Sequence, residues 1–238
     1  MDHTRTSKNE SEHINVAFYN EIANEYDTIL YHDKANEIIR RRVKEKLLNV
    51  VKHGTVLDFG GGTGLDLEWL TTNKYEVIFC EPSPGMRQIA IERAKNMLNA
   101  ANILFLENDK ADFTQWNSSP PFAIQLDAIL SDFAAINCIG EIELLFANLA
   151  QSIKPGGHFI ALVLQYGYKK GYWWKLKEAI KKLLDDKPVV LKTQFKDQLQ
   201  TVYLYTESEI KKASSPYFNI ISQEKLYEFT LVHLERHA

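Results

Sequence analysis

Four of the eleven glycines in this chain, Gly60, Gly61, Gly62 and Gly64, fall within five positions. They follow Thr55-Val56-Leu57-Asp58-Phe59, a short β-prone run, and lead into a helical segment from about Asp66 to Thr72. A strand that ends in consecutive glycines and turns into a helix presents backbone N–H groups, unshielded by side chains, at the carboxyl edge of a sheet. Such a loop admits a ligand close to the main chain. A plain tight turn needs one or two glycines, not four.

The rest of the chain repeats the same alternation. Apolar stripes at helical spacing (Phe18, Ile22, Tyr26; then Ile38, Ile39, Val43, Leu47, Val51) predict two helices ahead of the glycine loop. Tyr75–Glu81 predicts a strand, Pro84–Leu98 a helix, and Ile103–Leu106 and Leu126–Leu130 two strands. A helix with Ile142, Leu145, Leu149 and Ile153 on one side follows, then a strand at Phe159–Leu164. Strands separated by helices imply repeated βαβ units and a mostly parallel sheet covered on both faces. After Leu164 the order breaks. A segment rich in Lys, Tyr and Trp, with a helical stripe from Trp173 to Leu184, reads as an insertion, followed by a strand-like piece at Thr201–Tyr205. Thr206 with Glu209 three positions on predicts a capping box. The strands near 217–223 and 228–234 are too close for a helical crossover and should form an antiparallel hairpin.

The chain of 238 residues therefore reads as one α/β domain over 14–238, with an N-terminal helical flap at 14–54 and an inserted lid at 165–205; residues 1–13 are polar and read as a disordered tail. A net charge of −3 removes the simplest argument for nucleic acid. Two cysteines without metal-type spacing, no leader-like apolar segment and no run of ~18 apolar residues point to a reduced, cytoplasmic protein with no transmembrane segment. Monomer and homodimer both remain open.

Spacing sorts the ligands that the glycine loop can take. A phosphate-binding Walker loop requires Lys after its last glycine, and none follows Gly64. The dinucleotide pattern G-x-G-x-x-G, counted from Gly60, requires glycine where Leu65 stands, which weighs against an NAD-type oxidoreductase. What is present is D-x-G-x-G-x-G, with Asp58 two positions ahead of Gly60. Glu81, at a strand end 21 residues beyond Gly60, stands about where α/β nucleotide folds place a carboxylate for a ribose diol.

These segments resemble the class I S-adenosylmethionine-dependent methyltransferases, most clearly over residues 15–165. Val56 to Gly64 is similar to that family's first motif, and Phe79-Cys80-Glu81-Pro82-Ser83-Pro84-Gly85-Met86 to its second. Asn108-Asp109, Leu126 to Ser131, and Leu149 through Lys154-Pro155-Gly156-Gly157-His158 fall in the family's order. Tyr19 to Asp27 resembles the N-terminal helix of small-molecule members. The resemblance implies a Rossmann-like seven-stranded sheet with a C-terminal antiparallel hairpin. It places Gly60, Gly62 and Gly64 in the cofactor loop, Asp58 near the methionine ammonium, and Glu81 with Pro82 at the ribose. Met86 would pack on adenine, Asp109 and Asn108 would meet its amino group, and Ser131 and Tyr26 would line the methionine end. Met86 reads equally well as helix core.

Methyl transfer from a sulfonium is an in-line displacement that alignment and water exclusion largely accomplish, so a dedicated base is optional. If the acceptor is a hydroxyl, Asp132, directly after the fourth strand, is the base candidate, with Tyr166 and His32 as further candidates near the pocket. A helix-start role for Asp132 and surface exposure of His32 are the alternatives. His158 should point to the opposite edge of the sheet. Where amino-directed nucleic-acid methyltransferases carry [DNS]-P-P-[YFW], this chain reads Ser131-Asp132-Phe133-Ala134, and Ser119-Pro120-Pro121-Phe122 precedes the strand instead. Neither Cys80 nor Cys138 follows a proline. The acceptor expected is a small organic molecule methylated at oxygen, with nitrogen and carbon as alternatives, leaving S-adenosylhomocysteine; a non-catalytic cofactor-binding module is the further alternative. Tyr166, Tyr168, Tyr172 and Trp174 suggest an aromatic lid, and the lid lysines with Arg40-Arg41-Arg42 suggest basic faces.

Overall fold

The computed structural model describes residues 3–31, 34–116, 119–164, 189–195 and 197–238. Helices α1 (His3–Tyr31) and α2 (Lys34–Val50) precede strand β1 (Gly54–Phe59). Then come α3 (Leu67–Thr72), β2 (Tyr75–Cys80), α4 (Pro84–Ala94), β3 (Ile103–Phe105), β4 (Leu126–Ser131), α5 (Ile142–Ser152) and β5 (Ile153–Leu164). Strands β6 (Val189–Phe195) and β7 (Gln198–Leu204), helix α6 (Glu207–Ser214) and strands β8 (Phe218–Leu226) and β9 (Phe229–Arg236) complete the chain.

Seven strands form one sheet in the order β3-β2-β1-β4-β5-β9-β8, parallel from β3 through β5 and antiparallel thereafter. This is the Rossmann-like arrangement expected, with β8 and β9 as the terminal hairpin. Successive side chains of a strand point to opposite faces, so Val56 and Leu57 belong to different layers. Val56, Leu130 and Ile160 pack under Ile39, Val43 and Leu47 of α2 and Leu67 and Leu70 of α3. Leu57, Ile129 and Phe159 face Leu145, Phe146 and Leu149 of α5. Both faces are closed by apolar helix stripes, which explains why β1 and β4 are nearly continuous apolar runs.

Helix ends follow local chemistry. Ser83 caps α4, its hydroxyl accepting from the Met86 N–H, with Pro84 in the first turn. The Thr206–Glu209 capping box is present in both directions. Helix α4 ends at Ala94 rather than near Leu98, which lies fully exposed in the turn beyond. Helix α1 begins at His3, so the segment expected to be a disordered tail is helical from that point. Extending a helix already anchored by Asn15, Phe18 and Ile22 adds one bond per residue without requiring an apolar stripe.

Of the expected inserted lid, residues 165–188, with Tyr166, Tyr168, Tyr172, Trp173 and Trp174, lie outside the described residues, as does His32. The part that is described is a two-stranded antiparallel hairpin, β6–β7, separate from the main sheet. Thr201–Tyr205 therefore does not join the main sheet as a strand. Its partner β6 was not expected from the sequence, although Val189-Val190-Leu191-Lys192-Thr193-Gln194-Phe195 carries the β-prone signal. Asn15 of α1 binds β7: its side chain accepts the Thr201 N–H at 2.8 Å and donates to the Thr201 carbonyl at 2.8 Å and the Cys138 carbonyl at 2.9 Å. One buried amide thus holds the flap helix, the hairpin and the turn after β4 together.

Candidate active site

Strand order reverses between β1 and β4, and the crevice beyond their carboxyl ends is where open α/β sheets bind ligands. A cavity of about 580 Å³ lies there, roofed by α1. Asp58, Gly60 and Gly62 reach its wall from β1, Glu81, Pro82 and Met86 from the end of β2, Asn108 and Asp109 from the end of β3, Asp132 from β4, and Tyr26 from the roof. These are ten of the sequence-derived site residues, brought together from five segments. Gly64 and Ser131 do not reach the wall. A Cβ on Gly64 would stand 2.7 Å from Leu67 and 2.9 Å from Ala90, so that glycine allows α4 to pack against the loop. Ser131 is buried within β4, its hydroxyl unpartnered among the described residues.

The other loop glycines do different work. Gly60 and Gly62 have positive φ, 72° and 58°. A Cβ on Gly60 would come within 2.4 Å of Ala135, and one on Gly61 within 2.3 Å of Phe79. Only Gly62 opens to free space, where the nearest atom to an added Cβ is on the Tyr26 ring at 3.6 Å. Tyr26 is held there by its neighbour: Asp27 accepts from the Thr63 hydroxyl at 2.5 Å and pairs with Arg93, which also donates to the Thr63 carbonyl at 3.0 Å.

Glu81 is buried, its Oε2 accepting from the Gly62 N–H at 2.9 Å and its Oε1 from the Ser83 N–H at 2.8 Å. Burial pushes its carboxyl up to about 7 against the lowering effect of those two bonds. Asp132 is likewise pushed up to about 7, by burial and then by Asp66, against the pull of Arg40. Asp58 is raised by burial and by Asp66 and Asp132. One oxygen of Asp58 and one of Asp132, both Oδ2, have no hydrogen-bond partner among the described residues, although both side chains are buried. The two side chains themselves line the cavity, and carboxyl groups there suit a cationic or hydroxyl ligand.

The turn after β4 is strained. Phe133 and Ala134 both adopt left-handed conformations, φ 41° and 64°, at about 1–2 kcal/mol each for non-glycine residues. The turn directs Asp132 at the cavity and lays Phe133 beneath the Arg40 guanidinium, 4.6 Å from the ring centroid. Arg40 also donates from Nη1 to both carboxylate oxygens of Asp66, at 3.0 and 3.1 Å. The run Arg40-Arg41-Arg42 is therefore not a single basic face. Arg40 lines the cavity, Arg42 pairs with Glu224 of β8, and Arg41 is solvated beside Glu45. Sequence reasoning missed Arg40 because the helical stripe marks it only as the residue after Ile39; its partner Asp66 carried no motif.

Tyr19, Phe59, Phe113 and Ile139 add an apolar and aromatic lining. His158 lies at the far edge of the sheet as expected, 3.1 Å from His233. Among the described residues there is no cluster of His, Cys, Asp and Glu that would hold a metal, and no helix long and apolar enough to cross a membrane.

A parallel sheet with a glycine loop after β1, a carboxylate ending β2 and a roofed cavity over the switch point defines the Rossmann-like methyltransferase architecture. A family model described as a methyltransferase domain matches residues 31–213, and the chain belongs to that family. A curated relative, the demethylmenaquinone methyltransferase of Tropheryma whipplei (strain Twist), is 30% identical over 144 residues, which are 60% of this chain and 55% of the relative. The match thus spans about half the length of that relative. Among solved structures, the complex of DhpI with S-adenosylhomocysteine superposes with a TM-score of 0.67 at 14% identity, covering 95% of this chain and 97% of that one. The Burkholderia thailandensis 1,6-didemethyltoxoflavin-N1-methyltransferase superposes at 0.66 and 12% identity, covering 97% and 91%. At such identities the likeness establishes the fold.

Proposed function

We propose that this protein transfers the methyl group of S-adenosylmethionine to an oxygen of a small, largely apolar organic acceptor. The cavity's donors and acceptors fit that cofactor. Asp58 in the cavity wall suits an ammonium, Glu81 suits two vicinal hydroxyls, Gly62 leaves room beside the main chain, and buried Met86 with Asn108 and Asp109 offers an apolar and polar lining suited to adenine. Solved relatives hold S-adenosylhomocysteine or S-adenosylmethionine. When bound, the cofactor supplies an electrophilic methyl group on a sulfonium.

The chain's own residues align and desolvate. Tyr26 and Tyr19 close the roof, Arg40 offsets the carboxylates, and the aromatic wall excludes water. The observation that supports oxygen as the acceptor atom is Asp132. Asp132 lines the cavity with its carboxyl pushed up to about 7, where the ionised form can take the proton of a phenol or enol as the oxygen attacks.

The test is calorimetric titration with S-adenosylhomocysteine, then incubation with S-adenosylmethionine and a panel of phenols, enols and arylamines, with products located by mass spectrometry. Saturable binding and aryl methyl ethers are expected, with Asp132→Asn lowering kcat about 100-fold at pH 7 while leaving cofactor affinity in place. Absence of saturable binding would overturn the whole reading. Products methylated only on carbon or nitrogen would overturn the choice of oxygen.

A further inference from the structure

The acceptor half of the cavity lies over β4 and β5, away from the β2 and β3 ends that face a nucleotide. There the Tyr19 hydroxyl sits where three elements converge: α1, which carries it, the turn after β4, and the β6–β7 hairpin. Its oxygen accepts a hydrogen bond from the Gln200 Nε2 of β7 at 2.8 Å. On its other side stands the Cys138 thiol, with Sγ at 3.5 Å. Tyr19 and Cys138 both line the cavity, and Tyr19 is half-buried against it.

Gln200 donates to the Tyr19 oxygen, and the hydroxyl stands 3.5 Å from the Cys138 thiol, where either group can be the donor. When the phenolic proton points to sulfur it meets only a weak acceptor. Burial disfavours ionisation of both Tyr19 and Cys138, pushing the Tyr19 hydroxyl well above its ordinary value and the Cys138 thiol up to about 11, so both stay protonated at neutral pH. The ring is held by edge contacts to Phe18, with centroids 5.3 Å apart, and to Tyr26 at 6.0 Å. A neutral, rigid O–H parked on a thiol exchanges that weak contact for an oxygen lone pair at little cost.

We propose that Tyr19 is the specificity-determining residue of the acceptor site, donating a hydrogen bond to an oxygen of a planar aromatic acceptor while Gln200 orients its hydroxyl. The proposal rests on the methyltransferase reading above and deepens it. Tyr19 addresses a lone pair and Asp132 a proton, so the two contacts are complementary.

Binding of a matched pair of probes, 2-naphthol and naphthalene, to the full chain saturated with S-adenosylhomocysteine tests the idea without any turnover. One net neutral hydrogen bond is worth about 1 kcal/mol. The ratio of dissociation constants, naphthalene over 2-naphthol, should therefore fall about fivefold to tenfold in Tyr19→Phe, with cofactor affinity within about twofold of wild type. Cys138→Ser places a better acceptor beside the Tyr19 proton and should lower the same ratio about threefold. If Tyr19→Phe fails to hold the cofactor, the Cys138→Ser result decides alone, a lowered ratio supporting the proposal and an unchanged one overturning it. An unchanged ratio in a cofactor-competent Tyr19→Phe overturns it, as does failure of both probes to bind a wild-type cofactor complex. Failure of wild type to bind S-adenosylhomocysteine overturns the methyltransferase reading itself, a distinct outcome.

Discussion

Glu81 Oε2 accepts the backbone N–H of Gly62 at 2.9 Å, which ties the carboxylate ending β2 to the loop glycine where an added Cβ would meet nothing closer than 3.6 Å. The two elements most specific to a nucleotide-type cofactor are thereby held in register before any ligand enters. The arrangement positions Glu81 without exhausting its acceptor capacity, since an ionised carboxylate offers about four lone pairs.

Glu81→Gln should weaken S-adenosylhomocysteine binding about 10- to 100-fold, the worth of hydrogen bonds to a charged acceptor. The fold should persist, with the melting temperature within about 3 °C, because the change removes a buried carboxylate whose ionised form is disfavoured by burial. Calorimetry and thermal unfolding of the same sample separate the two effects; unaltered affinity would remove Glu81 from the site.

Affinity should rise with pH. Glu81 and Asp132 sit near 7 in the ligand-free protein, against about 4 in an unfolded chain. The folded state therefore holds extra protons between these values, and the contribution of these groups to stability declines as pH rises through that window. Asp58, Asp66, Arg40 and Tyr26 face them from β1, the loop before α3, α2 and α1. A ligand bringing an ammonium and hydroxyls favours the ionised carboxylates, so binding releases protons and tightens about tenfold between pH 6 and 8. Calorimetry in two buffers of different ionisation enthalpy checks this. A flat profile without proton release would contradict it. His233, pushed down to about 4 by burial and then by His158, lies at the other edge and should not contribute.

Arg40→Met should destabilise the protein by about 2–3 kcal/mol, somewhat less than the loss for a fully buried pair, because it strands Asp66 among carboxylates. Arg40→Met with Asp66→Asn should recover much of this, while Arg41→Ala should stay within about 0.5 kcal/mol of wild type. Urea unfolding of the three variants measures the differences, and equal effects at positions 40 and 41 would show that the pairing does not stabilise the fold.

Gly60→Ala and Gly62→Ala should separate stability from binding. The first adds a methyl against Ala135 at a left-handed residue and should cost about 3 kcal/mol. The second meets no backbone and should cost about 1–2 kcal/mol, yet its methyl enters the cavity and should reduce cofactor affinity more than tenfold. Comparable loss of affinity without loss of stability at Gly60 would reverse the assignment of the two glycines.

Much of the fold was legible because its signals are local. Val56 to Gly64 shows a strand, a turn and a helix start in consecutive residues, Thr206 and Glu209 announce their own cap, and the spacing of Asp58, Gly60 and Glu81 selects a ribose-bearing ligand over a triphosphate. The sequence by itself thus determined the parallel α/β class and named ten of the residues that line the cavity. Only the tertiary structure assigned the rest, since its partners are remote in the chain. Arg40 meets Asp66 and Phe133, Asn15 meets Thr201, and Tyr19 meets Cys138 and Gln200, across separations of up to 186 residues. A polar residue on a helix carries no sign of the carboxylate or thiol that it will face. That pairing is decided when α1, α2 and the hairpin pack over the sheet and burial obliges each polar group to find a partner.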